Sequence, residues 1–468
     1  MKRPVIVDSH ITAKQSPERP YQQERELMRS LRTRISQSAD LRVFSLGLIW
    51  SILGTVAVRL TPMITTILIS HWFGIESVGR FGVTYSTLVS ATFLASTGVN
   101  LMATRNIAAY AATDPGTAGR LAGMALLLVA GASALIALAI FLFSDAIAGR
   151  LLKQPELAFY LKVISPIVVV SALNNVQVAI LNGLQQFKTI ARLNMIMGGL
   201  MIASVPIGLY FHGLTGSFAA LGCAYLAGSL ITAPAMLRTL KARGIPLAFR
   251  GALSQWPMIT RYAIPALLAS LLYEPVSWIC TTIVVGNPDG LQQVGLYFIA
   301  MQLETLLLFA PQIVVQVTIP MLSTGFGEHN RRRVLNVLGM GIGTNIVIAI
   351  GFVVVMMLFG DWFLLLFKLD PAQHWPIFMI VVFASAMIAG ALPLGQVPVS
   401  SGYMWTGLSI TAGWAATFII GTWFLQDHGA YGMIIARAIA WGLQTLVYIG
   451  FTRFAIGRTR SVSLPQPA

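Results

Sequence analysis

Four ionisable residues stand where ionisable residues are rare. Arg59 lies near the middle of Leu46–Trp72, a stretch long and apolar enough to cross a bilayer. Glu274, followed by Pro275, and then Glu304 and Arg437 lie in later apolar windows. A charge at mid-membrane costs about 2.5–3.5 kcal/mol on the gentlest scale, so it normally faces a protein interior or a wet cavity and keeps a partner. A guanidinium suits anionic oxygens, which it grips bidentately. Arg59 is therefore the leading candidate for holding a phosphate, with Glu274 as its expected partner between turnovers and as a candidate proton-coupling group. A permanent structural ion pair is the alternative. Glu304 is either a neutral, hydrogen-bonded acid or a titrating site for ion coupling. Arg437 either snorkels outward or faces a cavity as a second cation. Pro275 lacks an amide donor and should bend its helix, as a hinge or to shape a cavity. Asn100, Asn174, Asn175 and Asn345 can hydrogen-bond hydroxyls in a wet vestibule, although bonds between helices are the commoner use of such residues.

The elements that must position these groups are membrane helices. The 468-residue chain is 56% hydrophobic and 10% charged, against about 25% charged in soluble proteins. With a mean hydropathy of +0.75, it reads as an all-α polytopic membrane protein, and its long unbroken apolar runs exclude a β-barrel. Windows near 46–72, 82–104, 120–144, 159–183, 190–211, 214–237, 261–285, 293–321, 334–360, 375–399, 404–426 and 430–452 predict twelve spans. The net charge of +15 fits basic cytoplasmic connections better than a nucleic-acid partner. Arg105, Arg120, Lys188, Arg238, Lys241, Arg331, Arg333, Arg453 and Arg458 fall on one side, and few cations fall on the other. The positive-inside rule then places both termini in the cytoplasm.

The chain also repeats itself. Val78-Gly79-Arg80-Phe81 and Val294-Gly295-Leu296-Tyr297 share one register (294 − 78 = 216). The same spacing relates Gly213 to Gly429, Gly216 to Gly432 and Phe187 to Tyr403. Six spans plus six implies two lobes, 43–238 and 261–456, related by a pseudo-two-fold axis along the membrane normal. A linker at 239–260 joins them. The flanks are a basic tail at 1–42, read as disordered, and a second tail at 457–468.

Signals for catalysis are missing. The chain has no Gly-Lys dipeptide for a Walker A loop, no HExxH and no GxSxG. No enzyme activity, cofactor or metal is expected. Arg331-Arg332-Arg333 reads as a topology anchor on anionic lipid. Gly339 and Gly343 read as a close helix-packing seam.

Three motifs carry a family resemblance: Trp72-Phe73-Gly74-Ile75-Glu76-Ser77-Val78-Gly79-Arg80-Phe81, Asn100-Leu101-Met102-Ala103-Thr104-Arg105-Asn106-Ile107-Ala108, and Leu181-Asn182-Gly183-Leu184-Gln185-Gln186-Phe187-Lys188. Over about residues 43–456 the sequence resembles the polysaccharide transporter branch, including O-antigen flippases, of the multidrug/oligosaccharidyl-lipid/polysaccharide flippase superfamily. The resemblance implies a V-shaped pair of six-helix lobes in the bacterial inner membrane. It also implies alternating access, with an undecaprenyl-diphosphate-linked oligosaccharide as substrate, and glycosyltransferases and a polysaccharide polymerase as partners. A multidrug and toxin cation antiporter of the same fold is the alternative. Its cavity should be predominantly acidic.

Overall fold

The computed structural model describes residues 60–249, 268 and 272–458, together with the helical backbone of residues 19–59. The expected tails at 1–18 and 459–468 and the linker from Arg250 onward lie outside the described residues. So does the side chain of Arg59, which sits on helical backbone. Among the described residues every regular element is helical: α1 (Arg19–Tyr110), α2 (Pro115–Ala146), α3 (Leu157–Gly183), α4 (Phe187–Ala242), α5 (Glu274–Val285), α6 (Gly290–Gly327), α7 (Arg331–Leu366), α8 (Pro371–Ala391), α9 (Met404–Phe424) and α10 (Gly429–Arg458). Nine of these are long and apolar enough to cross a membrane, and α5 is a shorter apolar helix.

Two helices are each broken by a glycine in the left-handed region. In α1 the break is Gly74, at φ 80° and ψ 175°. Thr61 and Thr65 on one arm share a small cavity with Phe81 and Tyr85 on the other, so the arms lie side by side. In α4 the break is His212–Gly213, with φ 58° at Gly213. A Cβ at Gly208 would meet the backbone carbonyl of Gly216 across the turn, and one at Gly216 would meet that of Gly208. Only hydrogen fits such an approach. The windows at 46–72 and 82–104 are thus the arms of α1, and those at 190–211 and 214–237 are the arms of α4.

Helix starts follow local chemistry. The Asp114 carboxylate accepts from the Thr117 amide at 3.0 Å, with Pro115 entering the first turn. The Asn330 side chain accepts from the Arg333 amide at 3.0 Å, and the Asp370 carboxylate from the Ala372 amide at 3.0 Å.

Helices α1–α4 pack mainly on one another, and α5–α10 do the same. The two halves meet through α1 against α5 and α6. The core follows this plan unevenly. At the end carrying Gly74, Gly213, Gly286 and Gly429, one apolar cluster runs through both halves, from Ile69, Val78 and Phe218 to Val284, Leu291 and Phe367. At the end carrying the basic connections, Met102, Leu121, Ile180 and Leu240 form a cluster that, among the described residues, belongs to the first half alone. Leu322, Val334, Val397 and Ile456 form one of the second half alone.

One sequence expectation needs correction. Gly339 and Gly343 are exposed, and a Cβ at either would meet nothing within 4 Å; Gly341 is the glycine that packs, against Thr318 and Pro393. The helical period turns 339 and 343 toward lipid and 341 inward. Pro275 stands in the first turn of α5, and residues 250–267 and 269–271, which hold most of the expected span before it, lie outside the described residues.

Candidate functional site: a charged cavity on the seam

Between the halves lies a cavity of about 390 Å³. Helix α1 contributes Gly82 and Ser86, α5 contributes Glu274 and Trp278, α6 contributes Tyr297 and Glu304, and α10 contributes Arg437. Arg437 and Glu304 form a bidentate pair. Nε of Arg437 donates to one carboxylate oxygen of Glu304 at 3.2 Å, and Nη2 donates to the other. The Glu304 side chain is 11% exposed and that of Arg437 is 15%, so the pair is withdrawn from lipid yet borders open space. The guanidinium also lies 5.9 Å from the centroid of the Phe418 ring, within cation–π range. Removing one member of a buried ion pair typically costs about 3–5 kcal/mol, because the other charge is left uncompensated.

Hydrogen bonds brace the cavity wall across the seam. Nε1 of Trp278 donates to Oγ1 of Thr87 at 2.8 Å, and the Ser90 hydroxyl donates to the Glu274 carbonyl at 3.1 Å. Farther from the basic end, Nζ of Lys368 donates to the His71 carbonyl at 2.7 Å, and the Ser70 hydroxyl donates to the Phe367 carbonyl. There the repeat closes on itself. A Cβ at Gly79 would overlap the Leu291 carbonyl, and one at Gly295 would overlap that of Ile75. Ile75 and Leu291 stand in the same 216-residue register as the two glycines, so α1 and α6 cross symmetrically.

The sequence candidates separate into three groups. Glu274, Glu304 and Arg437 come together in the cavity, and Pro275 starts the helix that carries Glu274. Glu304 and Arg437, read separately in the sequence, are partners. Arg59 lies outside the described side chains. Asn174 and Asn345 are buried between helices: Nδ2 of Asn174 faces the Thr232 hydroxyl at 3.4 Å, and Nδ2 of Asn345 donates to the Ala389 carbonyl at 2.9 Å. Neither lines the central cavity; both stand between helices, the commoner of the two uses the sequence offered for such residues. Asn175 is exposed, and Asn100 is partly buried. Trp278, Thr87, Ser90 and Phe418 were not legible as site residues, since each is an ordinary residue of a membrane span. The glycine pair was visible as a repeat but not as a contact.

This all-α, polytopic fold with a charged cavity on its midline seam has the build of a membrane transporter. The family described as polysaccharide biosynthesis protein matches residues 46–326, and the chain belongs to it. It is 20% identical over 403 residues to the EPS I polysaccharide export inner membrane protein EpsE of Ralstonia nicotianae, covering 84% of this chain and 90% of that one. It is 21% identical over 429 residues to the protein of the same description from Ralstonia solanacearum, covering 88% and 96%. Among solved structures, an inward-facing multidrug resistance MATE family transporter of the MOP superfamily superposes with TM-score 0.70 at 18% identity, covering 88% of this chain and all of that one. A MOP superfamily transporter from Pyrococcus furiosus, described as having a binding pocket of reverse polarity, superposes with TM-score 0.62 at 19% identity, covering 88% and 95%. The fold is that of the MOP superfamily.

Proposed function

We propose that the chain is a flippase carrying an undecaprenyl-diphosphate-linked oligosaccharide across the bacterial inner membrane by alternating access. In this reading twelve spans form two six-helix lobes, 43–238 and 261–456, with both termini cytoplasmic. The observation that carries the reading is the Arg437–Glu304 pair lining a cavity between the halves of a chain from a polysaccharide biosynthesis family. A diphosphate entering the cavity competes with Glu304 for Arg437. The guanidinium exchanges one bidentate oxyanion for another and is never left bare in low dielectric. Arg59, on the α1 backbone, is proposed as a second cation for the same anion. Glu274 and Glu304 take up the charge balance when the anion leaves. The polyprenyl tail stays in lipid, because the headgroup and not the tail is the barrier to crossing.

The test is surface polysaccharide in a strain lacking the chain, complemented at matched membrane levels. Arg437→Ala should lower export by about tenfold or more, as the loss of a buried charge partner worth 2–5 kcal/mol would. Arg437→Lys, which keeps the charge but loses the fork, should fall between Arg437→Ala and wild type. Wild-type export from Arg437→Ala would remove the residue from the mechanism.

One observation favours a second reading, a cation antiporter. Among the described residues lining the cavity, carboxylates outnumber guanidinium groups, Glu274 and Glu304 against Arg437. Raised ethidium accumulation in the deletion strain, with normal surface polysaccharide, would select it.

A further inference from the structure

A second cavity, of about 590 Å³, opens at the end away from the basic connections, and it differs in chemistry from the first. Its walls carry Asp289, Gln292, Gln373, His374, Asp427 and Tyr431. Among the described residues, neither Lys nor Arg lines it. The walls are built rather than incidental. Oε1 of Gln293 accepts from the Ala430 amide at 3.0 Å, tying α6 to the start of α10. Nδ2 of Asn287 donates to the Gln426 carbonyl at 3.1 Å, tying the connection before α6 to the one before α10. The Tyr431 hydroxyl reaches the Gln373 carbonyl at 3.5 Å, bringing in α8. Among the described residues, the side chains of Gln292, Gln373, Asp289 and Asp427 make no hydrogen bond of their own. Asp289 stands at the start of α6 without capping it. Amides supply both donors and acceptors and carboxylates supply acceptors, all in a roomy concave site with the phenol ring of Tyr431 and the imidazole rings of His374 and His428.

We propose that this vestibule is a saccharide-binding subsite that receives the hydroxyl-rich part of the headgroup, not its phosphates. Vicinal hydroxyls match planar amides and carboxylates, each of which engages two hydroxyls at once. Among the described residues, the absence of a lining Lys or Arg disfavours a phosphate there, and no three acidic, His or Cys side chains are grouped to hold a metal. The vestibule lies back to back with the central cavity across the first turns of α6. Gln292, Gln293 and Leu296 face the vestibule, while Val294, Tyr297 and Phe298 face the cavity. Phosphate and sugar thus have separate stations on the two sides of the Gly79–Gly295 crossing. The inference rests on the transport reading for the identity of the arriving sugar.

The experiment uses the full chain in lipid nanodiscs. The probe is the oligosaccharide freed by mild acid from the lipid carrier of the cell that makes this protein. Saturation-transfer NMR and calorimetry should detect saturable binding. Gln373→Ala and Asp427→Ala, both at exposed positions, should each weaken it about tenfold, as the loss of two polar contacts would. Lys162→Ala, at an exposed position away from both cavities, should leave it unchanged, and wild-type elution and melting of the two vestibule variants would show that they fold. Absent saturable binding to the wild type, or undiminished binding in both vestibule variants, overturns the subsite. Surface polysaccharide in the deletion strain reports separately: normal export without the chain overturns the transport reading, whereas lost export with no oligosaccharide binding overturns only the vestibule.

Discussion

The two ends of the molecule are built differently. At the end carrying Gly74 and Gly429 one apolar cluster passes from half to half, the glycines of α1 and α6 bring backbone onto backbone, and Lys368 and Ser70 bond across the seam. At the basic end, among the described residues, each half has a cluster of its own. The end carrying Gly74 and Gly429 is therefore the one closed by packing shared between the halves. The charged cavity sits between these regimes, bounded toward the closed end by the glycine crossing.

The largest effect is expected at the crossing. Gly295→Leu places a side chain on the Ile75 carbonyl, where no rotamer helps because the obstacle is backbone. The closed end should spring apart, seen as a longer spin-label distance between the α1 and α6 turns, with export lost. An unchanged distance would mean that the glycines are not the closure. Next in size, Leu322→Ala cuts the separate cluster of the second half and should cost about 2–5 kcal/mol of stability in thermal or denaturant melts. The spin-label distance at the closed end should stay at the wild-type value. Movement there would show that the two ends are one cooperative core.

Smaller effects are expected at the cavity wall and at the start of α2. Trp278→Phe removes the hydrogen bond to Thr87 while keeping an aromatic in the wall, and about 1 kcal/mol is expected. Thr87→Ala in the Trp278→Phe background should then add little, a non-additivity that a double-mutant cycle would read. The smallest effect is electrostatic. The Thr117 hydroxyl and amide hold the Asp114 carboxyl below its ordinary range. Its contribution is present above the unfolded carboxylate pKa and fades as pH falls through the lowered folded value. Asp114→Asn should therefore lower the melting temperature slightly at neutral pH, with the difference from wild type vanishing in acid, so that the acid limb of the profile flattens.

The sequence already carried the helical class, the positions of the apolar windows and the repeat register. Those are properties of local composition and of copies laid end to end. The register was informative beyond its purpose, since it paired Ile75 with Leu291 and Gly79 with Gly295, although nothing in it said that the copies touch there. The charged residues were legible one by one because their burial in lipid is costly wherever they are. Their partners were not: the sequence reading matched Arg59 with Glu274 and left Glu304 and Arg437 apart, whereas the fold joins Glu304 to Arg437 across 133 residues. Similarly, Gly339 and Gly343 had the spacing of a seam but the wrong face.

Sequence alone decided that this chain enters a membrane as helices and that its few intramembrane charges must be sheltered, because transfer free energy acts residue by residue. Tertiary structure alone decided which charge answers which, which glycines meet and which end is shut. Those outcomes depend on how helices cross, and crossing geometry is a property of pairs of surfaces that no single segment encodes.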